Sequence, residues 1–397
     1  MKKLYFVLVI CLLAVSCQRE DVEKPNLGAR ALSNRITPYE AIDFAIDAVY
    51  DDATRGYNAP RATVSVYGTE QTRSGESVDT MFYFVNFENN GGYAIVSTDR
   101  RAGDVVAFSR SGNIDPDSIE EGSAMDMIMT LAGDHYLDEV DPDDVRDSIV
   151  PIVPNDYLDY PKVVSVGNWE ENGSAGPFVE MSWNQYYPYN SRCFTVNGQP
   201  APAGCTAIAL AHIMSYYQYP ESHNNIDYRW GLLLQTNPFV TMTEDYINHI
   251  GEVIADIGAT IGVRYSTIEE GRSWAYPSDI KIAAEEFGFY ASPVSQATFY
   301  PQDINAFKLF CVTGTNSNGE SHTFVADGFI RERQSTTYID YDMNLQDYYY
   351  YNTYSYRIYA HCNWGFGETA PEYCISSLIQ PTGKLALYDF YHFYITL

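Results

Sequence analysis

The ten residues Ala203 to His212, Ala-Gly-Cys-Thr-Ala-Ile-Ala-Leu-Ala-His, constrain this chain more than any other stretch. Side chains this small let a helix sit deep between neighbouring elements. Leu210, Ile213, Met214 and Tyr217 continue it at the i, i+3, i+4, i+7 spacing of a buried helical stripe. Cys205 then falls in the first turn, where the helix dipole lowers the pKa of a thiol and makes it nucleophilic. The plainer alternative is a small cysteine buried in a tightly packed core, since free cysteines are among the most buried residue types.

The front of the chain predicts export. Met1-Lys2-Lys3 is a basic start, Leu4 to Val15 is apolar, and Ala14-Val15-Ser16-Cys17 looks like a bacterial lipobox. The apolar run is too short to span a bilayer and is followed at once by polar residues. Residues 1–16 therefore read as a lipoprotein signal peptide, Cys17 as the lipid-attachment site and 17–36 as a polar tether. The expected location is the outer membrane or cell surface, with the N-terminal lipid as the sole membrane contact. An ordinary secretory signal with Cys17 incidental is the alternative.

Export makes the cysteines informative. Without Cys11 and Cys17, five remain: Cys193, Cys205, Cys311, Cys362 and Cys374. An odd number leaves at least one thiol unpaired in an oxidising compartment. Any pairing among the others is open; Cys362 and Cys374 are merely the nearest in sequence. A net charge of −28 argues against nucleic acid and against an anionic membrane surface as partners.

Two modules differ in grammar. Thr37-Pro38-Tyr39-Glu40 carries a capping box and a proline at the first helical position, and Ala41, Ile42, Ala45, Ile46 and Val49 extend that helix. A hairpin follows, Met81 to Phe87 and Tyr93 to Ser97, then a strand Val105 to Ser109 and a helix around Ala124 to Tyr136. This first module, residues 37–140, is α+β, lacks cysteine and has one histidine, His135. Asp141 to Pro161 is acidic and proline-punctuated, the composition of a cleavable linker, and the linker region is taken as 141–175. The larger module, 176–397, holds the five remaining cysteines, six of seven histidines and four of the five tryptophans. It opens with the Cys205 helix and a helix through Tyr246, Ile250, Val253 and Ile254. It ends in strand-like runs at Thr323 to Ala326, Tyr354 to Tyr359 and Leu385 to Leu397.

A thiol nucleophile needs a base, a group to orient that base and an oxyanion donor. His322 begins an apolar strand and is the candidate base. Asn363 in His361-Cys362-Asn363-Trp364-Gly365-Phe366-Gly367 is the candidate orienter, because a carboxamide can accept an imidazole N–H. Trp364 would cover that bond. Gln185, in Ser182-Trp183-Asn184-Gln185-Tyr186-Tyr187-Pro188-Tyr189-Asn190, with the Cys205 N–H, would form the oxyanion hole. Taken singly, each has an ordinary reading: a surface histidine, an aromatic-glycine turn, a surface glutamine. No CxxC or HxxxH spacing suggests zinc, and the reading calls for no cofactor.

In this order the segments Trp-Asn-Gln-Tyr-Tyr-Pro-Tyr-Asn, Ala-Gly-Cys-Thr-Ala, Tyr216 to Pro220, Ser-His-Thr-Phe-Val-Ala-Asp-Gly and Asn-Trp-Gly-Phe-Gly resemble the streptopain family of cysteine peptidases. Gly91 to Arg101 is similar to that family's inhibitory propeptide. The resemblance covers nearly everything after residue 36. It implies an α+β fold with a papain-like catalytic domain behind a small α+β inhibitory prodomain. It also implies Cys205 as nucleophile, His322 as base, Asn363 with Trp364 behind the ring, and Gln185 in the oxyanion hole. Protein or peptide substrates, the propeptide as intramolecular inhibitor and activation by linker cleavage follow from the same likeness. Ser321, Thr323, His212, Phe366 and Glu368 depart from the usual pattern around the cleft walls. The expected function is an exported, lipid-anchored endopeptidase made as a zymogen and working through a thioester. The alternatives are a catalytically impaired peptide-binding lipoprotein and an acyl transferase on the same fold.

Overall fold

The structure, a computed structural model, describes residues 34–50, 61–68, 70–71, 77–78, 80–119, 123–140, 162–266, 273–316, 319–342, 347–367, 370–379 and 388–397. The expected signal peptide, Cys17 and linker residues 141–161 lie outside the described residues. The chain divides into two compact units: Met1–Ser118, Ala132–Gly173 and Arg331–Ile358 form one, and Ile119–Leu131, Ser174–Ile330 and Tyr359–Leu397 the other. Helices and antiparallel strands make up both, as the α+β expectation requires.

In the first unit the predicted capping box starts helix α1 (Pro38–Val49). Thr37 Oγ1 accepts the Glu40 N–H at 3.3 Å, and the Glu40 carboxylate accepts the Thr37 N–H at 2.8 Å. Ala41, Ala45, Ala48 and Val49 are its buried residues, against strands Phe82–Phe87, Tyr93–Ser97 and Val105–Ser109. The hairpin forms where expected, with Phe82 opposite Ser97 and Asn86 opposite Tyr93. Its turn places Asn89 and Asn90 at φ 61° and 56°, a region asparagine tolerates better than most residues. Gly92 is required there: at φ +101°, a Cβ would stand 2.5 Å from the Ser109 carbonyl oxygen.

Two segments differ from the sequence reading. Ile36, expected to end a free tether, is fully buried, and its N–H donates to Thr98 O at 2.8 Å. It precedes the N-cap, the position where an apolar side chain staples a helix start to its surroundings. Residues 162–175, assigned to the linker, form a strand, Lys162–Ala175, paired with the long strand Ser321–Asp342. Val163, Val164, Val166 and Trp169 favour a strand, while Glu170 to Gly173 do not and are held in it by pairing. Arg331 Nη2 donates to Asn172 O at 2.8 Å, and the Arg357 guanidinium lies 4.4 Å from the Trp169 ring centroid.

The second unit is built around α3 (Cys205–Tyr217), every residue of which from Cys205 to Ser215 is buried. Ile208, Leu210, Ile213 and Met214 share a core with Ile250, Val253, Ile254 and Ile257 of the Glu244–Ile261 helix. Cys311, Val325 and Phe393 bring the sheet into the same core. Strand Leu309–Asn316 is central, paired antiparallel with Ser321–Asp342 on one side and Tyr388–Thr396 on the other. Helix α2 (Ala124–Glu139) runs three residues beyond its predicted end, and its Ala124–Leu131 portion belongs to this unit.

Candidate active site

Cys205 is the first residue of α3, behind Gly204 at the N-cap. Gly204 has φ +91°, and a Cβ there would stand 3.1 Å from Ser273 O and 3.3 Å from Val263 Cγ1. Glycine therefore lets the chain turn into the helix against its neighbours. Gly204 supplies no side-chain cap, which leaves the positive end of the helix dipole at the thiol. Cys205 is 6% exposed.

The His322 strand approaches from the sheet. The Thr323 N–H donates to Cys205 Sγ at 3.4 Å, joining residues 118 positions apart. Thr323 is itself held by Thr313, the two hydroxyls lying 2.9 Å apart in the interior. His322 is opposite Gly314 in the register. Its Nε2 lies 2.8 Å from Trp364 O. A carbonyl can only accept, so Nε2 carries a proton and Nδ1 is the nitrogen that gains or loses one. The ring is flanked by aromatics: Phe366 at 4.9 Å between centroids, and Phe324 and Trp364 in near-parallel orientations.

Asn363 ends the strand Asp347–Asn363, one residue before the carbonyl that meets His322. Its Nδ2 donates to Met181 O at 2.6 Å, and its Oδ1 receives the Gly365 N–H at 3.5 Å. The carboxamide shapes the turn, and the backbone of the next residue meets the imidazole. Trp364 is 3% exposed and donates Nε1–H to Pro371 O at 2.8 Å, which fixes the carbonyl that faces His322. Gly365, at φ +72°, brings this turn onto α3 beside Ile208. Gln185 is 8% exposed, and its backbone carbonyl accepts the Ala203 N–H at 2.8 Å. That bond ties the Gln185 segment to the chain two residues before Cys205, and a bridge between Asn184 and Phe366 ties it to the Trp364 turn.

A buried polar group beneath these elements escaped the sequence reading. Asp327 is fully buried. Its Oδ2 accepts the N–H groups of Phe178 at 3.0 Å and Val179 at 2.6 Å, and its Oδ1 lies 2.5 Å from His361 Nδ1. This joins the strand bearing His322 to the strand bearing Asn363. A carboxylate closing the apolar run Thr323 to Ala326 was the available signal, since a buried charge needs partners. On α3, His212 is fully buried and its Nε2 accepts the Trp183 N–H at 3.0 Å. Burial pushes its pKa down to about 3, opposed by nearby Asp327, and its Nδ1 has no hydrogen-bond partner among the described residues.

Residues 183–373 match the model of the Peptidase C10 family, and residues 33–130 match that of the Spi protease inhibitor. Streptopain of Streptococcus pyogenes is 25% identical over 307 residues, covering 67% of this chain and 71% of streptopain. The thiol protease/hemagglutinin PrtT of Porphyromonas gingivalis is 25% identical over 166 residues, 38% of this chain but only 17% of PrtT. In fold, the chain is similar to a fragment of prointerpain A from Prevotella intermedia, with a TM-score of 0.54 at 14% identity, covering 84% of this chain and 98% of that one. Residues 183–373 therefore form a domain of the Peptidase C10 family, the streptopain family of cysteine peptidases, and a protease-inhibitor domain precedes it at 33–130.

Proposed function

We propose that this chain is the zymogen of an exported, lipid-anchored cysteine endopeptidase whose nucleophile is Cys205. The observation that carries the reading is the 3.4 Å contact of the Thr323 N–H with Cys205 Sγ, which sets the His322 strand against the head of α3. The Cys205 thiolate adds to a peptide carbonyl carbon, and the oxyanion is held by the Cys205 N–H and the Gln185 side chain. His322 Nδ1 gives its proton to the leaving amine, producing a thioester. The same nitrogen then takes a proton from water, which attacks the thioester and releases the thiolate. Trp364 O holds Nε2–H throughout, while Asn363 shapes the turn that presents this carbonyl.

Residues 37–140 act as the inhibitor, 176–397 as the peptidase, and activation follows cutting within 141–175. One contact supports inhibition in the intact chain. Met127, in the part of α2 that belongs to the Cys205 unit, has its methyl 2.7 Å from where a Gly314 Cβ would lie, and Gly314 is the register partner of His322. Residues 1–16 direct export, with Cys17 acylated. Labelling with a fatty-acid analogue tests the anchor: label should vanish in Cys17→Ser, and persistent label contradicts it. Hydrolysis of a denatured protein after linker cleavage tests the activity. Cys205→Ala should abolish turnover, and equal turnover by both proteins removes the mechanism.

A further inference from the structure

Cys362 and Cys374 lie on neighbouring strands, Asp347–Asn363 and Tyr373–Ile375, at the neck of the turn that carries Asn363 and Trp364. Ala360 pairs with Cys374, and the Cys362 N–H donates to Glu372 O at 2.8 Å. Side chains of residues 360 and 362 share one face of their strand, so the two cysteines are diagonal neighbours on the same face of the pair. Their sulfurs are 3.9 Å apart, with Cys362 3% exposed and Cys374 fully buried. Both are thiols in the structure. Closing the sulfurs to about 2.05 Å takes side-chain rotation together with a small approach of the two strands, since diagonal neighbours start about 7–8 Å apart. The other thiols sit elsewhere: Cys193 beside Tyr265, Cys311 in the central strand and Cys205 at the head of α3.

We propose that Cys362 and Cys374 form a disulfide that closes the neck of the Asn363–Trp364 turn. The oxidant is a disulfide, either of a thiol oxidoreductase or of a small molecule such as oxidised glutathione. One cysteine thiolate attacks a sulfur of the oxidant and expels one thiolate. The second attacks the protein-side sulfur of that mixed disulfide and expels the other. The cysteines lose two protons and two electrons, and the oxidant leaves as two thiols. Burial pushes the Cys362 thiol well above its ordinary pKa, and its contact with Cys374 adds to this. Exchange in the folded state is therefore slow, and the bond forms while the strands are still coming together. Once made, it joins the Trp364 Nε1–Pro371 O bond in holding the carbonyl that faces His322. An oxidising folding environment, which the export reading supplies, is needed; the catalytic assignment is not.

The full-length chain, refolded in a glutathione redox buffer and alkylated, should yield a cross-linked Cys362–Cys374 peptide in a non-reducing digest, with Cys193, Cys205 and Cys311 alkylated. Its thermal midpoint should fall by several degrees on reduction, and the midpoint of Cys374→Ser should not respond. Recovery of both cysteines as alkylated thiols, or linkage of either to another cysteine, overturns the proposal. The same digest on protein taken directly from the periplasm of an expression host serves if refolding fails. A bond absent from the periplasmic protein, which has folded in an oxidising compartment, overturns the proposal.

Discussion

His322 Nε2 is hydrogen-bonded at 2.8 Å to the backbone carbonyl of Trp364, while the neighbouring Asn363 carboxamide reaches Met181 O. The acceptor that fixes the tautomer of the ring is therefore a group that side-chain substitution cannot delete. Its position depends on the turn, and the turn depends on Asn363, on the Trp364 indole and on packing against Ile208.

Asn363→Ala should consequently leave a working enzyme. Removing a side chain that directly orients a catalytic imidazole costs about 10⁴-fold in kcat. Loss of the hydrogen bonds that hold the turn costs about 1–3 kcal/mol, or about 5- to 150-fold in kcat/KM if all of it falls on the transition state. Steady-state kinetics on the processed enzyme distinguish the two, and a loss near 10⁴ would return the orienting role to the carboxamide.

Gln185→Ala should lower kcat by about 10²–10³ with little change in KM, because an oxyanion donor acts mainly in the transition state. Gln185→Asn, with its amide one methylene short, should fail to restore the rate. An unchanged kcat would place the second oxyanion donor elsewhere.

Much of this molecule was legible from residue order. The Thr37–Glu40 box, the Asn-Asn-Gly-Gly hairpin and the buried helix headed by Cys205 are all local, and their chemistry is written within a few residues. The partners of Asp327 were not, because Phe178, Val179 and His361 lie far from it in the chain. The far end of the Lys162–Ala175 strand, Glu170 to Gly173, was equally hidden, since its conformation is supplied by pairing. Asn363 lies one residue before the carbonyl that meets His322, and only coordinates distinguish a carboxamide acceptor from that carbonyl.

His212 predicts a specific acid sensitivity. Its folded pKa of about 3 lies below the ordinary histidine value of 6.5, so between these values the unfolded chain binds the additional proton. Stability contributed by this site is full above pH 6.5 and declines as pH falls toward 3, at a limiting rate of about 1.4 kcal/mol per pH unit. His212→Gln can still accept the Trp183 N–H without titrating. Its urea midpoint should fall less steeply than that of wild type between pH 6 and 4, and parallel curves would show that His212 does not govern this limb.

Met127→Ala should weaken inhibition in the uncleaved chain. Truncating a buried methionine costs about 2–5 kcal/mol, here at the contact beside Gly314. Hydrolysis of a small peptide substrate by the intact chain, with its length verified by electrophoresis, should rise at least tenfold. An unaltered low rate would assign inhibition to other contacts of the N-terminal domain.

In the proposed mechanism one thiol among the five at Cys193, Cys205, Cys311, Cys362 and Cys374 is activated, and His322 activates it. Alkylation by a peptidyl electrophile, followed by peptide mapping of the processed enzyme, measures this directly. Label should enter Cys205 alone, at a rate far above that of glutathione and collapsing in His322→Ala. Labelling of another cysteine, or of Cys205 at the glutathione rate with no dependence on His322, would contradict it.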